Sequence, residues 1–435
     1  MPPGAPNFGR ILLAIKDGDE SKNEYSQLIN LISSSKRSEK VGFSLHEGNK
    51  VPILQLLNLL IHSSPDVRKE AVSLLNFCYS YDDLPNGPPQ DIIDEDGLEK
   101  VEKIIFPGLS ELLQSSRDIY LLDSWDTIIR LLGTHLHRKT TLINAGMRVV
   151  QAAFKHTDAR MVEKALRSWV VLMENFALVP EILNSSKRIK LLVMALKYDN
   201  PKQQESTYRV RLECWYELMH LLGRNLKHHA GDLVKEFVIF CFGPKSGPSS
   251  RNPGTPRTPG SPASTPSSKL HGFGTPTKQM SPAKKFSSLE RVCVDSLVQL
   301  FGARPLPQTL PRPLLSKPLP EVAITPQQFG ELSEIILNAL EEITENIKYS
   351  NRSENLKIGV IWSGVGDLAV QLTSLPNHLE PVLNYLRSVY RVSNKLRRQE
   401  KLHSILFEIL GTVIKFPDSI LLSHIYSLNS MEKKE

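Results

Sequence analysis

Proline limits this chain most, because of where it lies. Of 30 prolines in 435 residues, nine fall between Gly243 and Ser288 and seven between Ala303 and Pro326. A proline inside a helix removes a donor and clashes with the preceding turn, so both stretches interrupt any helical pattern. The remaining sequence is free to be helical, and its apolar residues recur about every 3.6 positions, as on one face of a helix. This predicts short helices around Ser63-Ser64-Pro65-Asp66, then pairs at 98–115 with 118–137, 141–155 with 159–177 and 180–197 with 203–223, and a closing helix at 233–242. Beyond the first proline-rich stretch it predicts 287–301, 327–348, a broken stretch at 354–373, and 379–393, 396–415 and 417–428. The fold class expected is all-α.

The pairs recur about every 40 residues, the period of HEAT and armadillo repeats. Ser64-Pro65-Asp66-Val67-Arg68-Lys69-Glu70-Ala71-Val72-Ser73-Leu74-Leu75 has the form of a HEAT turn. Pro65 suits a first helical position, where an N–H has no partner anyway, and Asp66 suits the first-turn dipole. Val67, Ala71 and Leu74 then face the partner helix. The organisation expected is a helical solenoid with an inserted segment. It comprises a partly ordered start (1–45), repeats (46–242), an insert (243–286), a helix (287–302), a proline-rich connector (303–326) and further repeats (327–430). The insert is rich in Gly, Ser, Thr and Pro with almost nothing apolar, and such a stretch stays disordered.

Composition excludes some classes. Hydrophobic residues make up 40%, charged 23% and aromatic 7%, ordinary values for a globular chain. No apolar run approaches the ~18 residues of a spanning helix. Met1-Pro2-Pro3-Gly4-Ala5-Pro6 lacks the basic start and apolar core of a signal peptide. Neither secretion nor membrane insertion is expected. Cys78, Cys214, Cys241 and Cys293 are far apart in apolar helical stretches and read as reduced core thiols.

A search for catalytic constellations returns none. Gly359 to Gly366 lacks the lysine and preceding strand of a phosphate loop. Lys227-His228-His229 and His135-x-His137 stand without further ligands and read as exposed helix ends. Glu341-Glu342 reads as a solvated face, and Trp169 and Trp215 as core. No enzyme activity, metal or cofactor is expected. Repeat arrays of this kind act by binding.

Several stretches between residues 118 and 222 carry a specific resemblance. They are Leu131-Leu132-Gly133-Thr134-His135-Leu136-His137-Arg138, Asn175-Phe176-Ala177-Leu178-Val179-Pro180-Glu181-Ile182-Leu183, Ser186-Lys187-Arg188-Ile189-Lys190-Leu191-Leu192 and Glu213-Cys214-Trp215-Tyr216-Glu217-Leu218, with Trp169. Together they resemble the N-terminal HEAT-type region of the telomere-associated Rap-interacting factor family. The Ser/Pro/Thr-rich insert followed by more helices matches that family's layout. The resemblance implies a nuclear protein of chromosomes and telomeres, with roles in telomere maintenance, double-strand-break repair choice and replication timing. It also implies DNA and a phosphorylated repair adaptor as partners. The family's docking motifs for type-one phosphatase are absent from this chain: Ser419-Ile420-Leu421-Leu422 lacks the lysine and Arg291-Val292-Cys293-Val294 the aromatic residue.

Charge indicates where binding resides. The net charge of +7 comes from 53 basic and 46 acidic residues. Lys245, Arg251, Arg257, Lys269, Lys278, Lys284 and Lys285 all lie in the first proline-rich stretch, which has no acid, and the rest of the chain is neutral. The same stretch carries six proline-directed sites, Thr255, Thr258, Ser261, Thr265, Thr275 and Ser281. Thr275 and Ser281 also have the downstream lysine that cyclin-dependent kinases favour. Filling all six would add about −9 to −12 charge and reverse the segment's sign. In the folded part the candidates for DNA phosphates or a phosphorylated partner are Arg138 and Lys139; Lys187, Arg188 and Lys190; Arg209 and Arg211; and Arg391, Lys395, Arg397, Arg398 and Lys401, of which 391, 395 and 398 share one helix face. Phosphate contacts carry no base sequence, so any DNA binding expected is sequence-nonspecific. The rival expectation is a HEAT or armadillo adaptor that grips a peptide and never touches nucleic acid.

Overall fold

The structure is a computed structural model. It describes residues 56–78, 93–116, 118–197, 204–243, 287–302, 319, 324–345, 352–376, 378–399 and 402–432. Among these residues every regular element is helical, as the period requires. The insert, with all six proline-directed sites, lies outside them, as do the start of the chain and nearly all of the proline-rich connector.

The chain divides into two compact units, Met1–Leu183 and Asn184–Glu435. The first contains α1 (Pro65–Cys78), α2 (Glu95–Lys100), α3 (Phe106–Ser115), α4 (Tyr120–Leu132), α5 (Thr140–Phe154), α6 (Ala159–Ala177) and the single turn α7 (Pro180–Leu183). The second contains α8 (Ser186–Lys197), α9 (Glu205–Leu222), α10 (Ala230–Phe242), α11 (Ser287–Phe301), α12 (Pro326–Glu345), α13 (Arg352–Leu372), α14 (Leu379–Leu396), α15 (His403–Val413) and α16 (Asp418–Glu432).

Packing follows a helix-n to helix-n+2 rule within each unit, with α1 on α4 the exception. In the first, α1 packs on α4 and α4 on α6, while α3 packs on α5. In the second, α8, α10, α12, α14 and α16 form one succession and α9, α11, α13 and α15 the other. Two parallel layers of like helices are the architecture of an α-solenoid. Helices on either side of the insert obey the same rule, since α9 packs on α11 and α10 on α12.

Local chemistry sets the boundaries. Thr325 and Gln328 make a capping box, with the Thr325 N–H donating to Gln328 Oε1 at 2.9 Å and the Gln328 N–H to Thr325 Oγ1 at 3.4 Å. α12 therefore begins at Pro326. Val101–Ile105 is a π-turn joining α2 to α3. Pro107 lacks the N–H that would bond the Lys103 carbonyl, so the ladder widens just ahead of it. In the HEAT-like turn Ala71 is fully buried, as expected. Arg68 is nearly as buried, donating to the Ser63 carbonyl at 2.9 Å and pairing with Asp118.

Three predicted elements differ. The stretch 354–373 is one unbroken helix, α13, because its glycines are packing seams and not breaks. A Cβ on Gly366 would lie 2.5 Å from Tyr385 Oη and 2.8 Å from Thr412 Cβ, so only glycine lets α13 approach α14 and α15 this closely. The single helix expected at 180–197 divides at Leu183, and the one expected at 396–415 starts only at His403.

Candidate nucleic-acid interface

Each candidate cation was chosen for its charge; the fold decides which charges remain available. Arg138 and Lys139 follow α4 through a 3₁₀ turn, Gly133–His137. Lys139 Nζ donates to Glu95 Oε2 at 2.8 Å, and Arg138 Nη1 lies 3.9 Å from Glu95 Oε1. Glu95 is in the first turn of α2, and the hydrogen bond from Lys139 holds its carboxyl below the usual range. This cluster is already matched by an acid.

Arg391 and Lys395 are matched as well. Arg391 Nη1 donates to both oxygens of Glu341, at 2.9 and 3.0 Å, and Lys395 pairs with Glu345. Glu341 is therefore a largely buried partner of α14 and not the solvated acid expected. Arg397 and Arg398 are exposed at the end of α14, while Lys401 lies outside the described residues.

Arg211 corrects the sequence reading outright. It is wholly buried, with its guanidinium carbon 5.8 Å from the Tyr208 ring centre and 5.9 Å from that of Phe240. Two residues along a helix is 200° around it, so Arg209 points to solvent while Arg211 points inward. The two cannot form one stripe. Trp169 and Trp215 are core residues, against Phe154 at 5.8 Å and Phe237 at 6.0 Å.

Lys187, Arg188 and Lys190 open α8. Lys187 is exposed and has no ion pair among the described residues; Arg188 is half-buried. Lys190 Nζ lies 3.5 Å from Asp232 Oδ2, with both side chains well exposed, and such a pair holds a lysine only weakly. Asp232 belongs to the first turn of α10, which packs on α8. The His229 ring, buried beside that turn, bonds the Asn184 backbone, and burial pushes its pKa down. The starts of α8 and α10 therefore lie side by side.

That juxtaposition brings in residues the sequence reading passed over. Trp125 to Lys139 is repeated 90 residues later as Trp215 to His229: Leu-Leu-Gly at 131–133 recurs at 221–223, and Leu136 recurs as Leu226. Gly133 has φ 49° and ψ −130°, and Gly223 has φ 51° and ψ −127°. A side chain is strained there, so glycine is required. After each glycine comes a 3₁₀ turn and then a new helix, with Leu136 or Leu226 fully buried beneath. The first turn is held by Asn175 of α6, whose amide donates to the Ile129 and Gly133 carbonyls at 3.0 Å each. The second leaves Arg224 and His228 exposed and Lys227 half-exposed, just ahead of α10. Of the paired histidines, His135 and His229 are buried and not the exposed ends expected. The signal for the second turn was this internal repeat.

The described residues also form a polar cleft of about 370 Å³ in the first unit, lined by Lys69, Tyr120, Asp123, Asp126, Thr127 and Lys164 among others. Lys164 bridges Asp123 at 2.5 Å and Asp126 at 2.8 Å. Burial raises the pKa of Asp126 in spite of that lysine.

Comparison with known proteins gives a consistent result. Residues 50–234 match the family described as Rap1-interacting factor 1 N terminal. Telomere-associated protein RIF1 of Mus musculus is 24% identical over 359 residues, covering 74% of this chain and 14% of its own length. The proteins of the same name from Homo sapiens and Gallus gallus are 36% identical over 119 residues and 33% over 118, each covering 27% of this chain and 5% of their own. The chain thus spans a small part of the length of these relatives. Among solved structures, an engineered protein aligns over 87% of this chain and 82% of its own at 12% identity, but its TM-score of 0.26 carries no argument.

Proposed function

We propose that this chain, whose residues 50–234 match the family described as Rap1-interacting factor 1 N terminal, is a telomere-associated nuclear scaffold whose folded part holds DNA by its phosphates. The observation that carries this reading is the state of the cations. Arg138, Lys139, Arg391 and Lys395 are matched by acids and Arg211 is buried, whereas Lys187 stands open beside the weakly held Lys190. Contacts of this kind are sequence-nonspecific. The action is multivalent electrostatic holding without turnover.

Two further elements follow from the family. A phosphorylated repair adaptor and DNA compete for the same chemistry, which links the scaffold to break-repair choice and replication timing. Phosphorylation of Thr255, Thr258, Ser261, Thr265, Thr275 and Ser281 by a cyclin-dependent kinase turns the insert from a second cationic contact into a repelled one. Mitotic material with all six sites unmodified would refute this regulation.

A salt titration tests the reading. The chain 1–435 is bound to a fluorescent tailed duplex over a salt series, alongside Lys187→Ala/Arg188→Ala/Lys190→Ala and a deletion of 243–286. The expected slope is about −0.9 per phosphate contacted, flatter in the triple variant. Loss of binding only in the deletion would move DNA to the insert. No binding at low salt would favour the rival peptide adaptor, for which the cleft around Tyr120 and Lys164 is the place to look.

A further inference from the structure

The last described pair of helices, α15 and α16, differs from those before it. A repeat array buries each helix between neighbours, and a pair that caps it carries a polar outer face. On α15 and α16 the outer face is apolar. Six of the twelve large apolar side chains exposed among the described residues belong to this pair and the turn within it: Phe407, Leu410, Ile414, Leu422, Ile425 and Tyr426. Phe407, Leu410 and Ile414 stand at i, i+3 and i+7, along one side of α15. On its other side Ile405, Ile409 and Thr412 are buried where α15 packs on α13 and α14. Leu422, Ile425 and Tyr426, at i, i+3 and i+4, form a second strip on α16. Both helices pack on α14, and Phe416 in the short turn joining them stacks on Tyr385 with ring centres 5.8 Å apart.

We propose that this pair is the contact through which two copies of the chain associate about a two-fold axis, α15 lying against its antiparallel counterpart. Area favours a second copy. Phe407 is 70%, Ile414 82% and Tyr426 73% exposed. Since an aromatic side chain alone buries about 150–250 Å², the six together offer on the order of 700 Å², near the about 800 Å² that each partner gives to a standard interface. Shape fits self-pairing as well. Gly411 lies beside the Phe407–Ile414 ridge, and nothing stands within 4 Å of where its Cβ would be. With a copy running the opposite way, the ridge of each α15 enters the notch of the other, and each contact occurs twice, as a two-fold axis requires. Charge raises no barrier. From Phe407 to Tyr426 the charged residues are Glu408, Lys415 and Asp418, and Lys415 is paired with Asp367 at 2.7 Å. The face therefore selects neither a strongly acidic nor a strongly basic partner. Such a contact closes on itself and stops at the dimer.

Light scattering of the whole chain after gel filtration, with no nucleic acid present, tests this. Wild type should show twice the mass of one chain at micromolar concentration. Two variants invert the face, Phe407→Glu/Ile414→Glu and Phe407→Lys/Ile414→Lys. Both positions are largely exposed, so each variant should melt like wild type and run as a monomer. Mixed in equal amounts, the two should recover the dimer, a gain that misfolding cannot produce. Wild type at the mass of one chain throughout a dilution series would overturn the proposal and assign the face to a different protein. A dimer that persists in both variants would overturn it too, by placing the contact elsewhere.

Discussion

Gly223 shows at the residue scale how one backbone angle sets the course of the chain. With φ at 51°, any other residue is strained, yet nothing lies within 4 Å of where a Cβ would sit. The cost of Gly223→Ala is therefore conformational alone, about 1–3 kcal/mol, and should be read as a lower unfolding midpoint in denaturant. His229, just past the same turn, makes stability depend on pH. Burial lowers its pKa below the usual histidine value, so the unfolded chain takes up a proton that the folded chain refuses. Stability is then lost as pH falls through the unfolded value. Thermal melts should drop between about pH 7.5 and 5.5, and His229→Gln should drop less over that interval.

Among the elements, α2 and α13 act in opposite ways. Helix α2 brings a single acid, Glu95, onto the cations of the first Leu-Leu-Gly turn. Glu95→Gln should release Lys139 and Arg138 and tighten duplex binding at low salt, with little change in stability because the pair is exposed. Helix α13 is a seam: Gly366→Ala would drive a methyl into Tyr385 and Thr412, whose hydroxyls are 2.7 Å apart. Overpacking of this kind costs about 1–3 kcal/mol, visible in the same melts.

The helices themselves were legible in the sequence, because apolar period and proline placement are local signals. What was not legible is pairing across elements. Glu95 precedes Lys139 by 44 residues and Glu341 precedes Arg391 by 50, so a run of cations in sequence says nothing of the acids that fold onto it. Arg211 looked like Arg209 until the helix face was known. The second Leu-Leu-Gly turn was open to discovery, since its 90-residue repeat is in the sequence, but its meaning needed α8 and α10 side by side.

The molecule is all-α among its described residues and divides into two compact units, and its sequence is neutral outside the insert and basic within it. Net charge therefore says little about the folded surface, and local distribution decides. On this account the first unit's Leu-Leu-Gly turn is neutralised and the second unit's is open. Hydrogen exchange of the chain 1–435, measured by mass spectrometry with and without duplex DNA, tests that contrast most directly. The account predicts slowed exchange in peptides covering 184–190 and 223–232, with 133–139 and 391–398 unchanged. Protection at 133–139 or 391–398 with none at 184–190 and 223–232 would contradict it.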